Sequence, residues 1–158
     1  FVLPPEHQAD LVDVWEKDSA GAWQKHEHPN YTTDSPLRSD WPMCAGGAGL
    51  TSSALDYARF LQMLVDKGGI PGGRLLKEST IDTLFADHAP GLIEDDWHQG
   101  LACAVTNEPA SGGFWWGGYF NTQYFGNAET GEVAVLMKQT HGIRNDSTSS
   151  TFYKVLTR

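Results

Sequence analysis

The sequence predicts an α+β fold in which helices pack against one face of a small antiparallel sheet. Helical patterns dominate the first half of the chain, and the second half changes to short apolar segments separated by turn residues. Helices followed by a run of antiparallel strands are typical of this class, and such a sheet need bury only one face. The chain of 158 residues, 40% of them hydrophobic, has the length of one domain.

Residues 1–95 form the helical and loop part. In "PPEHQADLVDVWEKD", a proline at the first helical position and helical spacing of Leu11, Val14 and Trp15 predict a first helix. The stretch from Ser19 to Pro42 is rich in Pro, Ser, Thr and Asp. It predicts an extended loop or short strands that pack on another part of the protein.

Two more helices are predicted before residue 95. Ser53 and Asp56 form a variant of the capping box, and Gly68 supplies the stop of the helix that follows. The apolar residues at helical spacing between them are Ala54, Tyr57, Ala58, Leu61, Leu64 and Val65. A Gly/Pro turn and a short apolar stretch then lead to another helix, for which Ser79 is the predicted cap.

Residues 96–158 form the sheet part. Three strands are predicted in "WHQGLACAV", "GGFWWGGYFNTQYFG" and "GEVAVLMKQ". The segment "NAETG" predicts a tight turn that makes the last two an antiparallel hairpin. The tail from Asp146 to Arg158 predicts a closing helix.

Charge and composition exclude several classes of partner. The net charge is −9 and the chain has only eleven Lys and Arg residues, so a nucleic acid or an anionic membrane surface is not expected as a partner. No apolar run approaches the roughly 20 residues that span a bilayer. Cys44 and Cys103 are too few for a disulfide framework, and we expect two free, mostly buried thiols.

Two patterns suggest a ligand but are incomplete. "AGGAG" before a helix lacks the Gly-Lys-Ser/Thr of a phosphate loop and is interpreted as a Gly-rich turn. His26-Glu27-His28 offers two imidazoles, whereas zinc needs three or four ligands, so a solvated loop is the favoured interpretation.

An acidic cluster precedes the first predicted strand. It lacks the ligand spacing of a calcium loop and is interpreted as a charged connection; its members are Glu94, Asp95, Asp96 and His98. No metal and no cofactor is therefore predicted.

The chain contains no recognisable nucleophile of its own. Gly-x-Ser-x-Gly is absent, and no serine is followed by lysine three residues later. Thr151-x-x-Lys154 in the closing helix and the Tyr-x-Asn spelled by Tyr119-Phe120-Asn121 inside an apparent strand are interpreted as coincidences.

The order of the segments carries more information than any one of them. The chain resembles the C-terminal half of the serine beta-lactamase family of the class C type. The resemblance lies in the order of three segments: "GGAGLTSSALDYARF" from Gly46 to Phe60, then "QGLACAV", then "GGFWWGGYFNTQYFGNAETGEVAVLMKQT". That family also contains penicillin-binding-protein-like peptidases and esterases. The resemblance implies that residues 1–158 are a single C-terminal fragment with part of the beta-lactamase/transpeptidase-like fold, and it favours a periplasmic or secreted location.

The resemblance also implies a site. Trp116-Gly117-Gly118 matches by position the family's third catalytic motif, Lys-Thr-Gly in the lactamases, and the N–H of Tyr119 would by analogy donate to the oxyanion. Glycine allows an acyl group to lie against the strand. Because Trp116 replaces the lysine, an ester or a small amide or peptide is a better expected substrate than a beta-lactam.

The family's Ser-x-x-Lys and Tyr-x-Asn motifs belong upstream of Phe1. We therefore expect the parent protein to be a hydrolase and this chain alone to be inactive. An isolated half would expose apolar surface, so self-association is also expected.

Two other interpretations of "FWWGGYF" remain open. It can be a hydrophobic strand with a glycine bulge whose aromatic side chains alternate into two packed layers. It can also belong to a carbohydrate- or peptidoglycan-binding module without catalysis, in which exposed Trp and Tyr stack on sugar rings. Solvent-facing alternate aromatics would favour the module, and burial of both Trp115 and Trp116 would count against it.

Overall fold

The computed structural model describes residues 2–27, 46–93, 96–107, 112–143 and 146–156. The described chain begins with a 3-10 helix, Pro5–Asp10, and continues with β1 Trp15–Lys17, β2 Trp23–Lys25, α1 Ala54–Val65, β3 Gly69–Ile70, β4 Gly73–Arg74, α2 Glu78–Phe85, β5 Trp97–Gln99, β6 Ala104–Thr106, β7 Gly113–Gly117, β8 Gln123–Asn127, β9 Val133–Leu136 and α3 Thr148–Leu156. The predicted α+β class is confirmed.

The main sheet is a five-stranded antiparallel meander in the order β5-β6-β7-β8-β9. The predicted hairpin around "NAETG" is confirmed, with the Asn127 side chain accepting from the N–H groups of Glu129 (2.8 Å) and Thr130 (3.0 Å). The prediction of three strands is wrong, because two of the three segments fold into hairpins. A bend after Gly100 separates β5 from β6, and a turn after Gly117 separates β7 from β8.

Helices α1 and α2 cover one face of this sheet. The buried core there consists of Leu61, Met63, Leu64, Val65, Ile81, Cys103, Val105 and Phe114. Tyr57 of α1 contacts the Tyr124 ring of β8, and Phe85 of α2 contacts the Phe114 ring of β7, with centroids 5.5 and 4.7 Å apart. The core therefore depends on the amphipathic pattern of these helices.

Helix α3 lies on the opposite face, so the expectation that helices cover only one face is wrong. Tyr153 of α3 contacts the Trp115 ring at 5.8 Å, and Gln123 donates to Ser149. Successive residues of a strand point to opposite faces, so Trp115 faces away from the core that buries Phe114. Since α3 has no buried residue, it covers this second face only in part.

The predicted caps of α1 are confirmed, and the predicted cap of α2 is wrong. Ser53 Oγ accepts from the Asp56 N–H at 3.2 Å, and Gly68, with φ of +90°, ends the helix by donating to the Met63 carbonyl at 2.7 Å. Helix α2 begins at Glu78 after Lys77, which leaves Ser79 inside the helix. Arg74, the last residue of β4, pairs with Glu78 at 2.9 Å in the first turn of the helix.

The predicted first helix is also wrong. Only Pro5–Asp10 is helical, as a 3-10 helix, and Leu11 is extended with ψ of 132°. The Trp15 N–H donates to the Gln139 carbonyl (2.8 Å), and the His141 N–H donates to the Trp15 carbonyl (2.9 Å). This backbone pairing overrides the helical spacing of the apolar residues.

The predicted extended stretch after Ser19 contains β2 in its described part. This strand pairs with β1 in an antiparallel hairpin. Residues 28–42 of that stretch lie outside the described ranges. The closing helix predicted after Asp146 is confirmed as α3.

Cys103 is a free, buried cysteine, as predicted, whereas Cys44 lies outside the described residues. Burial raises the pKa of the Cys103 thiol to about 11. In the described part of the chain, no helix has the length and apolar character needed to cross a membrane.

We predict that native Cys103 resists alkylation. In a Cys44→Ala variant, iodoacetamide should react at pH 8 at least about 100-fold more slowly than with the urea-unfolded chain, because the thiolate is the nucleophile and the raised pKa keeps it scarce. The rate should still be rising at pH 9, past the usual thiol pKa of about 8.5. A native rate equal to the unfolded rate would show that the thiol is accessible.

Candidate functional site

The four residues singled out by the sequence lie where the central strand β7 ends. Trp116 and Gly117 are its last two residues, and Gly118 and Tyr119 begin the turn to β8. The Gly118 N–H donates to the Thr122 carbonyl (2.7 Å), and Asn121 takes a left-handed φ of 64°. The expectation that Tyr119-Phe120-Asn121 lies inside a strand is therefore wrong.

One edge of β7 is open at this end. Strand β6 pairs with β7 at Phe114 and Trp115 and no further, whereas Trp116 and Gly117 pair only with Tyr124 and Gln123 of β8. Within the described pairing, the last two residues of β7 thus have a neighbouring strand on one side only. An extended group can lie beside them on the other side.

The glycines near this edge have different structural roles. A Cβ atom on Gly117 would meet no atom within 4 Å, whereas one on Gly118 would lie 2.1 Å from Thr122 Oγ1. At Gly126 of β8, a Cβ would lie 2.3 Å from the Phe114 ring. Packing in the described fold therefore requires glycine at positions 118 and 126. It does not require glycine at position 117.

The aromatic residues change from buried to exposed along β7. Phe114 is buried, and Trp115 is half-buried between Trp97 (5.9 Å) and Tyr153 (5.8 Å). Trp116 stacks on Trp115 and remains 42% exposed. The interpretation as two packed aromatic layers is therefore correct up to Trp115 and wrong for Trp116.

Tyr119 is fixed by its side chain rather than by its backbone. Its phenol oxygen lies 2.8 Å from His141 Nε2, although the residue is 65% exposed. Its backbone N–H has no hydrogen-bond acceptor among the described residues. The turn that follows β7 therefore contains a backbone donor that makes no hydrogen bond within the described chain.

The turn is also held by Asn121. Its side-chain amide donates to the Thr140 hydroxyl (2.9 Å) and to the Thr140 carbonyl (3.2 Å). These bonds give the asparagine of the Tyr-x-Asn pattern a structural role.

A cluster that the sequence did not reveal lies next to Tyr119: Glu16, His26 and His141. Glu16 Oε2 lies 2.7 Å from His26 Nδ1 and 3.6 Å from His141 Nδ1, and the two imidazoles stack with centroids 4.2 Å apart. The hydrogen bond from His26, and then that from Gln24, holds the pKa of Glu16 below its ordinary value. His26 is thus part of a packed cluster and not of a solvated loop; His28 lies outside the described residues.

The remaining ligand candidates do not form a site in the described chain. His98 bonds the Asn107 side chain (2.7 Å) and the Phe85 carbonyl (2.8 Å), and the bond to Asn107 raises its pKa. Glu94 and Asp95 lie outside the described residues. The glycines of "AGGAG" are followed by several residues before α1 begins at Ala54, as expected for a turn and not for a phosphate loop.

Comparison with known proteins identifies the fold and family. A family model described as Beta-lactamase matches residues 5–154. Among solved structures, the chain is similar to "EstCE1, a hydrolase with promiscuous acyltransferase activity", with a TM-score of 0.66 and 19% identity. The alignment covers 89% of this chain and 41% of that one, so the chain spans less than half the length of that hydrolase. No curated protein matches the chain.

We predict that the fold tolerates a side chain at Gly117. Gly117→Ala should change the free energy of unfolding by no more than about 0.5 kcal/mol. Gly126→Ala should lower it by about 1–3 kcal/mol, because the added methyl group clashes with the Phe114 ring. Urea unfolding followed by circular dichroism measures both, with Gly73→Ala, whose Cβ also meets nothing within 4 Å, as the control. Equal losses at positions 117 and 126 would contradict this assignment.

Proposed function

Because the chain belongs to the beta-lactamase family, we propose that it is the C-terminal part of a serine hydrolase and supplies the strand that borders the active site. The observation that carries the proposal is the open edge of β7 at Gly117, where the fold leaves space and requires no glycine. A glycine that packing does not need is explained by a ligand that lies against the backbone.

In the proposed reaction, an acyl group lies along Gly117 with its carbonyl oxygen directed at the turn. The backbone N–H of Tyr119 donates to this oxygen as it becomes an oxyanion. Such a donor typically contributes about 3–4 kcal/mol to acyl transfer. Because the Tyr119 side chain is held by His141, the donor is positioned before the substrate binds.

The nucleophile comes from a segment outside residues 1–158, in this proposal. The sequence contains neither Ser-x-x-Lys nor Gly-x-Ser-x-Gly. Residues 1–158 thus act as one C-terminal fragment, which is inactive until the nucleophile segment packs beside β7. The partial coverage of the EstCE1 chain supports this arrangement.

The substrate class that the site favours is an ester or a small amide. Trp116 stands where the lactamases have lysine, so the edge offers an aromatic wall instead of a cation for a substrate carboxylate. Its 42% exposure leaves the indole face available to an apolar acyl or alcohol group. The promiscuous acyltransferase activity of EstCE1 belongs to the same reaction class.

The fragment also presents apolar surface that the rest of the hydrolase would cover. Large apolar side chains are exposed on several elements, with Leu92, Leu50 and Leu101 among the most exposed. Without its complement, such a surface favours self-association. We include this self-association in the proposal.

A second candidate function is glycan binding through Trp116 and Tyr119. The exposure of both rings favours it. The half-burial of Trp115 counts against it in part, because it removes one ring from the platform.

We predict that Gly117→Val lowers kcat/KM of the complete hydrolase for p-nitrophenyl esters by at least about 100-fold. The valine side chain would fill the space of the acyl group and move its carbonyl oxygen away from the Tyr119 N–H, and the loss of one oxyanion contact costs about this much. Sequencing the coding DNA upstream of Phe1 gives the reading frame from which the complete protein is expressed. Gly73→Val, in the exposed hairpin β3–β4, is the matched control and should retain full turnover.

An unchanged rate in Gly117→Val would remove β7 from the proposed site. Absence of an in-frame Ser-x-x-Lys upstream would contradict the serine-hydrolase proposal itself. Assays with a chromogenic beta-lactam, run in parallel, test the preference for esters.

For the glycan-binding candidate, isothermal titration of the chain with peptidoglycan fragments and chitooligosaccharides should give a heat that Trp116→Ala abolishes. For a platform of two exposed rings, we expect weak binding with a Kd of about 1 mM, which corresponds to about −4 kcal/mol. No binding at millimolar glycan would eliminate this candidate.

A further inference from the structure

We propose that Glu16, His26 and His141 form a binding site for a divalent transition metal ion of the zinc class. The three residues come from β1, from the position after β2, and from the segment after β9. Their ligand atoms all lie within 4.8 Å of one another, and within the described chain this is the single group of three that meets that condition. The proposal does not depend on the proposed hydrolase function.

The distances approach those of a tetrahedral metal centre. Bonds of about 2.0–2.2 Å to nitrogen and oxygen place neighbouring ligand atoms roughly 3.3–3.6 Å apart in a tetrahedron. His141 Nδ1 and Glu16 Oε2 are already 3.6 Å apart. His26 Nδ1 and Glu16 Oε2 are at hydrogen-bond distance, 2.7 Å, and would have to separate by less than about 1 Å.

Second contacts orient two of the three ligands. Metal binding to His141 Nδ1 requires the proton on Nε2, where the Tyr119 phenol oxygen, 2.8 Å away, can accept it. The other oxygen of Glu16, Oε1, accepts from Gln24 Nε2 at 3.0 Å. Metal-binding histidines and carboxylates usually have such partners, which fix the tautomer and the orientation of the ligand.

His141 Nδ1 gives an independent reason to expect a ligand. This atom is buried and has no hydrogen-bond partner among the described residues, since 3.6 Å from Glu16 is beyond hydrogen-bond range. A buried polar atom without a partner costs free energy. A metal ion bound between this nitrogen and the Glu16 carboxylate would remove that cost.

The type of ligand selects the class of metal. Two imidazoles and one carboxylate suit zinc and its neighbours in the first transition series, whereas magnesium and calcium prefer oxygen ligands. The side chains are partly buried, with 26% of Glu16, 12% of His26 and 29% of His141 exposed, so an ion can enter while the ligands stay positioned. Three protein ligands leave one position of a tetrahedron for water or a substrate group.

Titration of the chain with Zn²⁺ by isothermal calorimetry tests the proposal. We expect one equivalent to bind, with the His26 imidazole in the tautomer that carries its proton on Nε2, so that Nδ1 is free to bind the ion. His141→Gln and Glu16→Gln should each weaken binding by at least about 100-fold, and Tyr119→Phe, which removes a second contact, by about 10-fold. His7→Gln is the matched control, because His7 is an exposed histidine that contacts Asp10 and not the cluster.

Absence of Zn²⁺ binding at about 1 mM, or equal affinity in the wild type and in His141→Gln, would overturn the proposal. Circular dichroism of each variant shows whether it is folded. Zinc X-ray absorption of the wild-type chain gives a test that needs no variant. Scattering from two imidazoles supports the site, and a shell of oxygen atoms alone overturns it.

Discussion

The packing of Phe114 against Gly126 is the contact on which the rest of the structure depends. The Phe114 ring occupies the space where a side chain at Gly126 would lie, and it is enclosed by Phe85 of α2 and Tyr124 of β8. This close approach fixes β7 in the middle of the sheet and under the helices. Because a core is packed at nearly crystalline density, the addition or removal of one methyl group at this contact would alter the packing of β7, β8 and α2.

The same strand changes its environment within three residues, and this change creates the candidate site. Phe114 is in the core, Trp115 packs on the opposite face under α3, and Trp116 reaches solvent where β6 no longer accompanies β7. The end of β7 is therefore rigid at its base and open at its edge. Such an arrangement holds a reacting group in place without closing the space that the group must enter.

Tyr119 connects this edge to the Glu16, His26 and His141 cluster. Its backbone N–H is the donor assigned to the proposed acyl site, and its phenol bonds His141. The β1–β2 hairpin supplies Glu16 and is itself joined to the segment after β9 by the backbone bonds of Trp15. An ion in the cluster would thus tie three parts of the chain to one turn, and it would restrict the position of the Tyr119 N–H.

The sequence alone was enough to identify the features that depend on local patterns. It placed α1 with both caps, the β8–β9 hairpin, the closing helix and the order of segments that led to the family, because each depends on residues close together in the chain. It also marked Trp116 to Tyr119, although it could not show that Gly117 is free of packing constraints while Gly118 and Gly126 are not. Only the tertiary structure decided that Trp15 joins a strand instead of a helix, since its backbone partners lie at Gln139 and His141. It likewise decided that Glu16, His26 and His141 meet, because no spacing rule relates side chains that long-range backbone pairing brings together.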